Sequence, residues 1–335
     1  MTDDITSGRT VKNFLKALAK HFSGPIDSVL SVLIVPIAYL LMAYRRLGAA
    51  KLPKSTGRLK RIGVFPLRNH YYEPLFDDRL LLEPLDNPRY LPGINLNEAG
   101  QLAFIRELAF SHELITFNLT ANNESVDNFC IENGAFGRGD ADLLYQMLRF
   151  LKPGKLVEIG SGNSTKIARL AMIKNRADTA GDYRHICIEP YEQTWLESLG
   201  DIEVIRQRVE DAGLDLVAEL QAGDLLFIDS SHIIRPQGDV LKLYLDILPR
   251  LTPGVYVHVH DVFTPRDYLK AWVVDDVRFW NEQYLLEALL SSSCRYEVVA
   301  ALNFLKHDHY ESLARVCPYL KPDSEPASFY FRIAQ

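Results

Sequence analysis

The stretch "KLVEIGSGNST", residues 155–165, runs from apolar residues into a glycine turn and places one acid, Glu158, just before it. A strand that ends in such a turn and opens a helix can cradle an anion, because turn and helix N-terminal amides point outward there. A dinucleotide pyrophosphate asks for G-x-G-x-x-G, whereas here Gly160 and Gly162 are followed by Thr165. A carboxylate at Glu158 also repels phosphate. It suits a cationic amine instead.

Outward from this turn, residues beyond 153 alternate between strand-like and helix-like segments. "KLVEIG", "RHICIEP", "IEVIRQR", "DLLFIDS", "VYVHVHD", "YEVVAAL" and "SFYFRIA" read as strands, with "TKIARLAMIKNR" and "GDVLKLYLDILPRL" as helices between them. Apolar strands alternating with helices imply a mainly parallel sheet covered on both faces. The expected fold is α/β and Rossmann-like: seven mostly parallel strands, an antiparallel last strand and an N-terminal helical extension. Ligands of such sheets bind at the carboxyl ends of the strands.

Upstream, "GRGDADLLYQMLRFLKPG" reads as a helix with Asp140 as N-cap and Leu143, Leu144, Met147 and Leu151 as its apolar stripe; Pro153-Gly154 stops it. "NEAGQLAFIRELAF" offers Leu102, Ile105 and Leu108 at helical spacing. These features divide the chain into an N-terminal segment 1–62, a lead-in region 63–152 and a ligand-binding domain 153–335.

The charge is uneven. Residues 1–72 hold 12 Lys and Arg against Asp3, Asp4 and Asp27, a net of +9, so the remaining chain carries −15 of the total −6. The basic part contains the most apolar run, "VLSVLIVPIAYLLMAY" (29–44), with Arg45, Arg46, Lys51, Lys54, Arg58, Lys60 and Arg61 behind it. A spanning helix wants roughly 20 apolar residues, and this run has 16 with Pro36 inside. The preceding "VKNFLKALAKHF" has the pattern of an interfacial helix. Residues 11–61 therefore read either as a contact with an anionic membrane surface or as a helix buried against the main domain or a second copy. An acidic ligand domain argues against nucleic acid as partner. Cys130, Cys187, Cys294 and Cys317 form no C-x-x-C pair and read as reduced thiols of a cytoplasmic protein, placed in its interior or at the cytoplasmic membrane face.

At "EIGSG" the sequence resembles the class I S-adenosylmethionine-dependent methyltransferases, whose first motif is an acid two residues before a G-x-G turn. The resemblance extends over roughly residues 63–335. It implies S-adenosylmethionine as cofactor, held by Glu158 at the amine, by the turn Gly160, Ser161, Gly162 and Asn163, and by Glu189 at the ribose hydroxyls. It places Glu210 at the adenine amino group, with Asp211 as substitute, and Asp229 beside the cofactor. "FIDSSH" (227–232) and "HVHDVF" (258–263) further resemble the D-x-x-H of macrocin-type sugar O-methyltransferases. By that likeness His232 is the base, with His260 its rival, and Asp229 a metal ligand. Where those enzymes carry two acids this chain has His260-Asp261, so Asp229, His260 and Asp261 form the candidate site for a divalent metal, Mg or Mn. His258 reads as a core histidine.

A hydroxyl is a poor nucleophile until its proton is removed, and a positioned base contributes roughly 10²–10⁴ in rate. The expected reaction is O-methylation of a sugar, glycolipid or glycosylated natural product. Arg278, Trp280, Asn281 and Glu282 either line an acceptor pocket or cap the helix that follows; "NHYYEPLFDD" (69–78) and "NNESVDNF" (122–129) are candidate lids. Two readings of other classes stand beside this one: an NAD-dependent oxidoreductase, and a non-catalytic S-adenosylmethionine-binding module. Homo-oligomerisation is left open.

Overall fold

A computed structural model of the chain describes residues 3–120, 128–213 and 215–334. The chain divides into two compact units, 1–81 and 82–335. The region expected as a lead-in, 63–152, is split between them.

In the first unit a single helix, α1 (Asp3–Leu47), runs through both Pro25 and Pro36. Its segment Ser23–Leu47, which contains an 18-residue window with a mean hydropathy of 2.2, is 25 residues long. At 1.5 Å per residue this is about 37 Å, enough for a hydrocarbon core of about 30 Å. The helix is longer than the 16-residue apolar run, because polar and charged residues, Asp27, Ser28, Arg45 and Arg46 among them, continue it on both sides. Its large apolar side chains are exposed, Val32 to 72% and Leu40 to 70%. Helix α2 (Pro53–Ile62) follows, with Pro53 in its first turn and Gly63 ending it in the left-handed conformation.

The second unit is built on a seven-stranded sheet of order β3-β2-β1-β4-β5-β7-β6. The strands are β1 (Lys155–Ile159), β2 (Arg184–Ile188), β3 (Glu203–Ile205), β4 (Leu225–Ile228), β5 (Tyr256–Val259), β6 (Tyr296–Ala301) and β7 (Phe329–Ile333). All seven fall in the expected stretches, and β7 runs antiparallel to both β5 and β6. Helices α3 (Glu98–Glu107), α4 (Ser111–Thr116), α5 (Asp140–Leu151) and α6 (Asn163–Thr179) belong to this unit.

Strand alternation assigns the two faces. Val157, Ile159, Ile186, Ile188, Leu226 and Ile228 point to one core, shared with Val240, Leu243 and Leu286. Leu156, Leu225 and Phe227 point to the other, under α5 and α6, with Leu144, Ile167 and Ala171. Glu158 has the parity of Leu156 and so faces the side under α5 and α6.

Asp140 is not the N-cap of α5; that position is Gly139, whose N–H is accepted by Asp142 at 2.8 Å. Asp140 instead accepts from the Ala327 N–H at 2.9 Å and ties the start of α5 to the segment leading into β7. Leu143, Leu144 and Met147 are fully buried as expected.

Candidate active site

The carboxyl ends of β1, β2 and β4 open into a crevice with two lobes. One, of about 390 Å³, is lined by Glu189, Tyr191, Val209, Glu210, Asp229 and Ser230 among others. The other, of about 260 Å³, is lined by Phe136, Gly160, Ser161, Gly162, Asn163 and Asp229 among others. Gly160 sits at φ +80°, and a Cβ there would collide with the Asp229 carbonyl. Only glycine lets the β1 turn pass this close to β4.

Glu189 and Glu210 both line the larger lobe. One Glu189 oxygen accepts from Tyr191 and Glu192 N–H at 2.9 and 2.8 Å, and the other faces the Ser161 N–H at 3.5 Å. Asp211, the alternative to Glu210, is occupied by an ion pair with Arg208 at 2.6 Å. The Ser161 hydroxyl is buried without a hydrogen-bond partner among the described residues.

Glu158 departs from expectation. It is fully buried and lies behind the turn, under α6, because strand parity sends it to that face. Its Oε2 accepts from the Thr165 hydroxyl at 2.5 Å, and the same hydroxyl accepts from the Gly162 N–H at 3.1 Å. The acid braces the turn and does not line the crevice.

The segment after β4 carries the densest chemistry. Ser231 donates from both N–H and hydroxyl to Asp239 at 2.7 Å, fixing the turn between Asp229 and His232. His232 follows at φ +60°, and Asp261, at the end of β5, has φ +59°. Non-glycine residues in this region hold a costly conformation, one that clusters at functional sites. The His232 carbonyl accepts from the N–H groups of Asn281 and Glu282 at 2.8 and 3.2 Å.

His232 is 6% exposed. Its Nε2 lies 3.3 Å from Asp229 Oδ1 and 3.4 Å from Asp261 Oδ2, and its Nδ1 lies 2.9 Å from Glu282 Oε2. Burial alone would lower its pKa, but the hydrogen bonds to Asp229 and Glu282 and the nearby charges push it up to about 10. Burial opposes ionisation of Asp229 as well, yet His232 and His260 hold its carboxyl well below the usual range.

His260 Nδ1 is 3.7 Å from Asp229 and 3.5 Å from Asp261, while its Nε2 faces Asp140 at 3.8 Å. Asp229, His260 and Asp261 can bring one donor atom each within 4.8 Å of one another. With His260 Nδ1 buried and lacking a hydrogen-bond partner among the described residues, this oxygen-and-imidazole set fits a divalent ion such as Mg²⁺ or Mn²⁺. His258 is a core residue, stacked on Tyr330 at 4.0 Å between ring centroids.

Of the four expected acceptor residues, two have other tasks. Asn281 uses its side-chain oxygen to accept from the Ile234 N–H at 2.7 Å, and Glu282 is buried against His232 and the Ser230 hydroxyl, which donates to it at 2.8 Å. Both hold the His232 loop, and neither is in the lining of the two crevice lobes. Trp280 remains beside the site, its ring 4.2 Å from that of His232. The Arg278 guanidinium lies 4.6 Å from both Trp272 and Trp280 and pairs with Asp276. Of the lid stretch 122–129, residues 122–127 lie outside the described residues.

Sequence reasoning assigned no site role to Asp140 or Asp239. Asp239 heads the helix after "DSSH", and its only sequence signal was an acid eight residues past a serine pair.

Residues 157–262 match the family model for a methyltransferase domain. An uncharacterised protein of Archaeoglobus fulgidus is 26% identical over 47% of this chain and 74% of its own length. Among solved structures, an O-methyltransferase from Bacillus cereus in complex with SAH is 13% identical, covering 70% of this chain and 91% of its own at a TM-score of 0.35. A cmcI structure with Mg and SAM is also 13% identical, covering 58% and 72% at a TM-score of 0.34. From β1 to just past β5, this chain carries a methyltransferase domain.

Proposed function

We propose that the crevice binds S-adenosylmethionine and that the enzyme transfers its methyl group to a hydroxyl of a sugar or glycolipid. The observation that carries the reading is the placement of His232, a buried imidazole held at one ring nitrogen by Asp229, which lines the crevice, and at the other by Glu282. When bound, S-adenosylmethionine supplies a methyl already activated on a sulfonium. The chain has only to align it with the acceptor oxygen and receive a proton.

Glu189 offers the ribose hydroxyls its Oε2, which in the structure takes only the long 3.5 Å contact from the Ser161 N–H, and Glu210 faces the adenine end. With Glu158 withdrawn behind the turn, Asp229, which lines both lobes, is the carboxylate that meets the cofactor's cationic end. Glu282 fixes the His232 ring so that Nε2 faces the crevice acids. A divalent ion on Asp229, His260 and Asp261 would take over the carboxylate charge that otherwise holds the His232 proton, leaving the imidazole free to accept one. Trp280, against His232, offers an apolar face to a sugar ring.

The apolar, basic first unit supports a site of action at the cytoplasmic membrane face. Ser23–Leu47 is long enough to cross, and the seven cationic residues from Arg45 to Arg61 suit anionic headgroups. The test is incubation of the purified full chain with methyl-labelled S-adenosylmethionine and a panel of free and lipid-linked saccharides. Label recovered as a sugar methyl ether supports the reading; label confined to protein or nucleic acid overturns it.

A further inference from the structure

We propose that Glu158, His185 and Cys187 form a second metal site, buried beneath α6 and selective for a thiophilic divalent ion, zinc first. The register of β1 and β2 pairs Leu156 with His185 and Glu158 with Cys187, so all three side chains leave the sheet on the face that α6 covers. Glu158 Oε2 lies 3.6 Å from His185 Nε2 and 3.6 Å from Cys187 Sγ. One donor atom of each lies within 4.8 Å of the others. Ligands about 2.0–2.3 Å from a tetrahedral zinc stand roughly 3.5 Å apart, so two of the three edges already have that length.

The electrostatics point the same way. All three residues are buried, among Leu156, Ile167 and Ala171. Glu158 Oε1 and both His185 ring nitrogens have no hydrogen-bond partner among the described residues. Leaving a carboxylate and an imidazole so placed is costly unless they are paired or coordinate a metal. A carboxylate and a thiolate together neutralise a divalent cation, and a neutral imidazole adds a third donor without charge. Sulfur and nitrogen donors favour zinc over magnesium or calcium. The Thr165 hydroxyl, bonded to the same Glu158 oxygen, is a further oxygen donor in this cluster. Because Thr165 also receives the Gly162 N–H, an ion here would stiffen the glycine turn from behind. Its role is structural, acquired on folding.

The test is elemental analysis of the untagged full chain, purified in detergent without chelator, with cobalt-grown protein examined by visible absorption. The expected result is about one zinc per chain, and in the cobalt form a thiolate-to-cobalt charge-transfer band. That band should disappear in Cys187→Ser and persist in Asp229→Asn and Asp261→Asn. Wild-type protein free of zinc, zinc that leaves with Asp229→Asn, or a cobalt spectrum without a thiolate band would each overturn the proposal. The wild-type measurements decide the matter even where a variant fails to fold.

Discussion

His232 Nδ1 and Glu282 Oε2 lie 2.9 Å apart, with the Glu282 carboxylate 1% exposed and bonded also to the Ser230 hydroxyl. A buried acid in this position selects the ring orientation and supports a proton on Nδ1. Glu282→Gln keeps the shape and removes the charge. It is expected to lower kcat by about two to three orders of magnitude, within the roughly 10²–10⁴ that a positioned base contributes. Cofactor affinity should stay near wild type. A variant that lost cofactor binding but kept its kcat would contradict this role.

Gly160→Ala places a methyl group against the Asp229 carbonyl at φ +80°, so either the β1 turn or the end of β4 must move. The expected outcome is a loss of cofactor affinity of at least tenfold, with lowered thermal stability. Calorimetry and a melting curve check it, and an unchanged affinity would show that the turn does not shape the site.

The strands were legible because each is a short apolar run bounded by glycine, proline or charge, and the antiparallel β7 followed from its place at the chain's end. The placement of the Gly160 turn and Glu189 in the crevice was legible for a related reason: residues directly after the carboxyl ends of β1 and β2 face it, and Glu210 reaches it from the segment after β3. Glu158 was misplaced because it lies within β1, short of the turn that opens the crevice, where either face of the strand is buried; its side chain leaves on the face under α5 and α6, and the motif alone does not say where the strand ends. The companions His185 and Cys187, two residues apart on the neighbouring strand, were the available signal. Glu282 was out of reach: it meets His232 across 50 residues of sequence, and only the tertiary fold brings a helix start against the β4 loop. Asp140 looked like a cap because acids favour helix starts, but Asp142 takes the capping bond.

Burial pushes the Asp142 carboxyl up to about 6, against the hydrogen bonds it accepts from Gly139 and Tyr319. A raised acid keeps its proton in the folded state while the unfolded chain has lost it. Its contribution is therefore fully present below the unfolded value of 3.8 and is lost as pH rises through about 6. The amount at stake is on the order of 3 kcal/mol. The difference in Tm between wild type and Asp142→Asn should shrink as pH rises from 4 to 7. A gap that widens over that range would reverse the sign and contradict the assignment.

Removing residues 1–50 deletes the apolar span of α1 while leaving the sheet unit intact. The truncated protein is expected in the soluble fraction, whereas the full chain should stay with carbonate-washed membranes. Identical fractionation of the two would refute the membrane role of α1.

The most direct test of the central claim is calorimetric titration of the full chain with S-adenosylmethionine, beside NAD and the Glu189→Ala variant. The account expects micromolar binding of S-adenosylmethionine, about −8 kcal/mol, weakened at least tenfold in Glu189→Ala and absent for NAD. Binding of NAD alone, or S-adenosylmethionine affinity indifferent to Glu189, would contradict the assignment of the crevice and every catalytic role built on it.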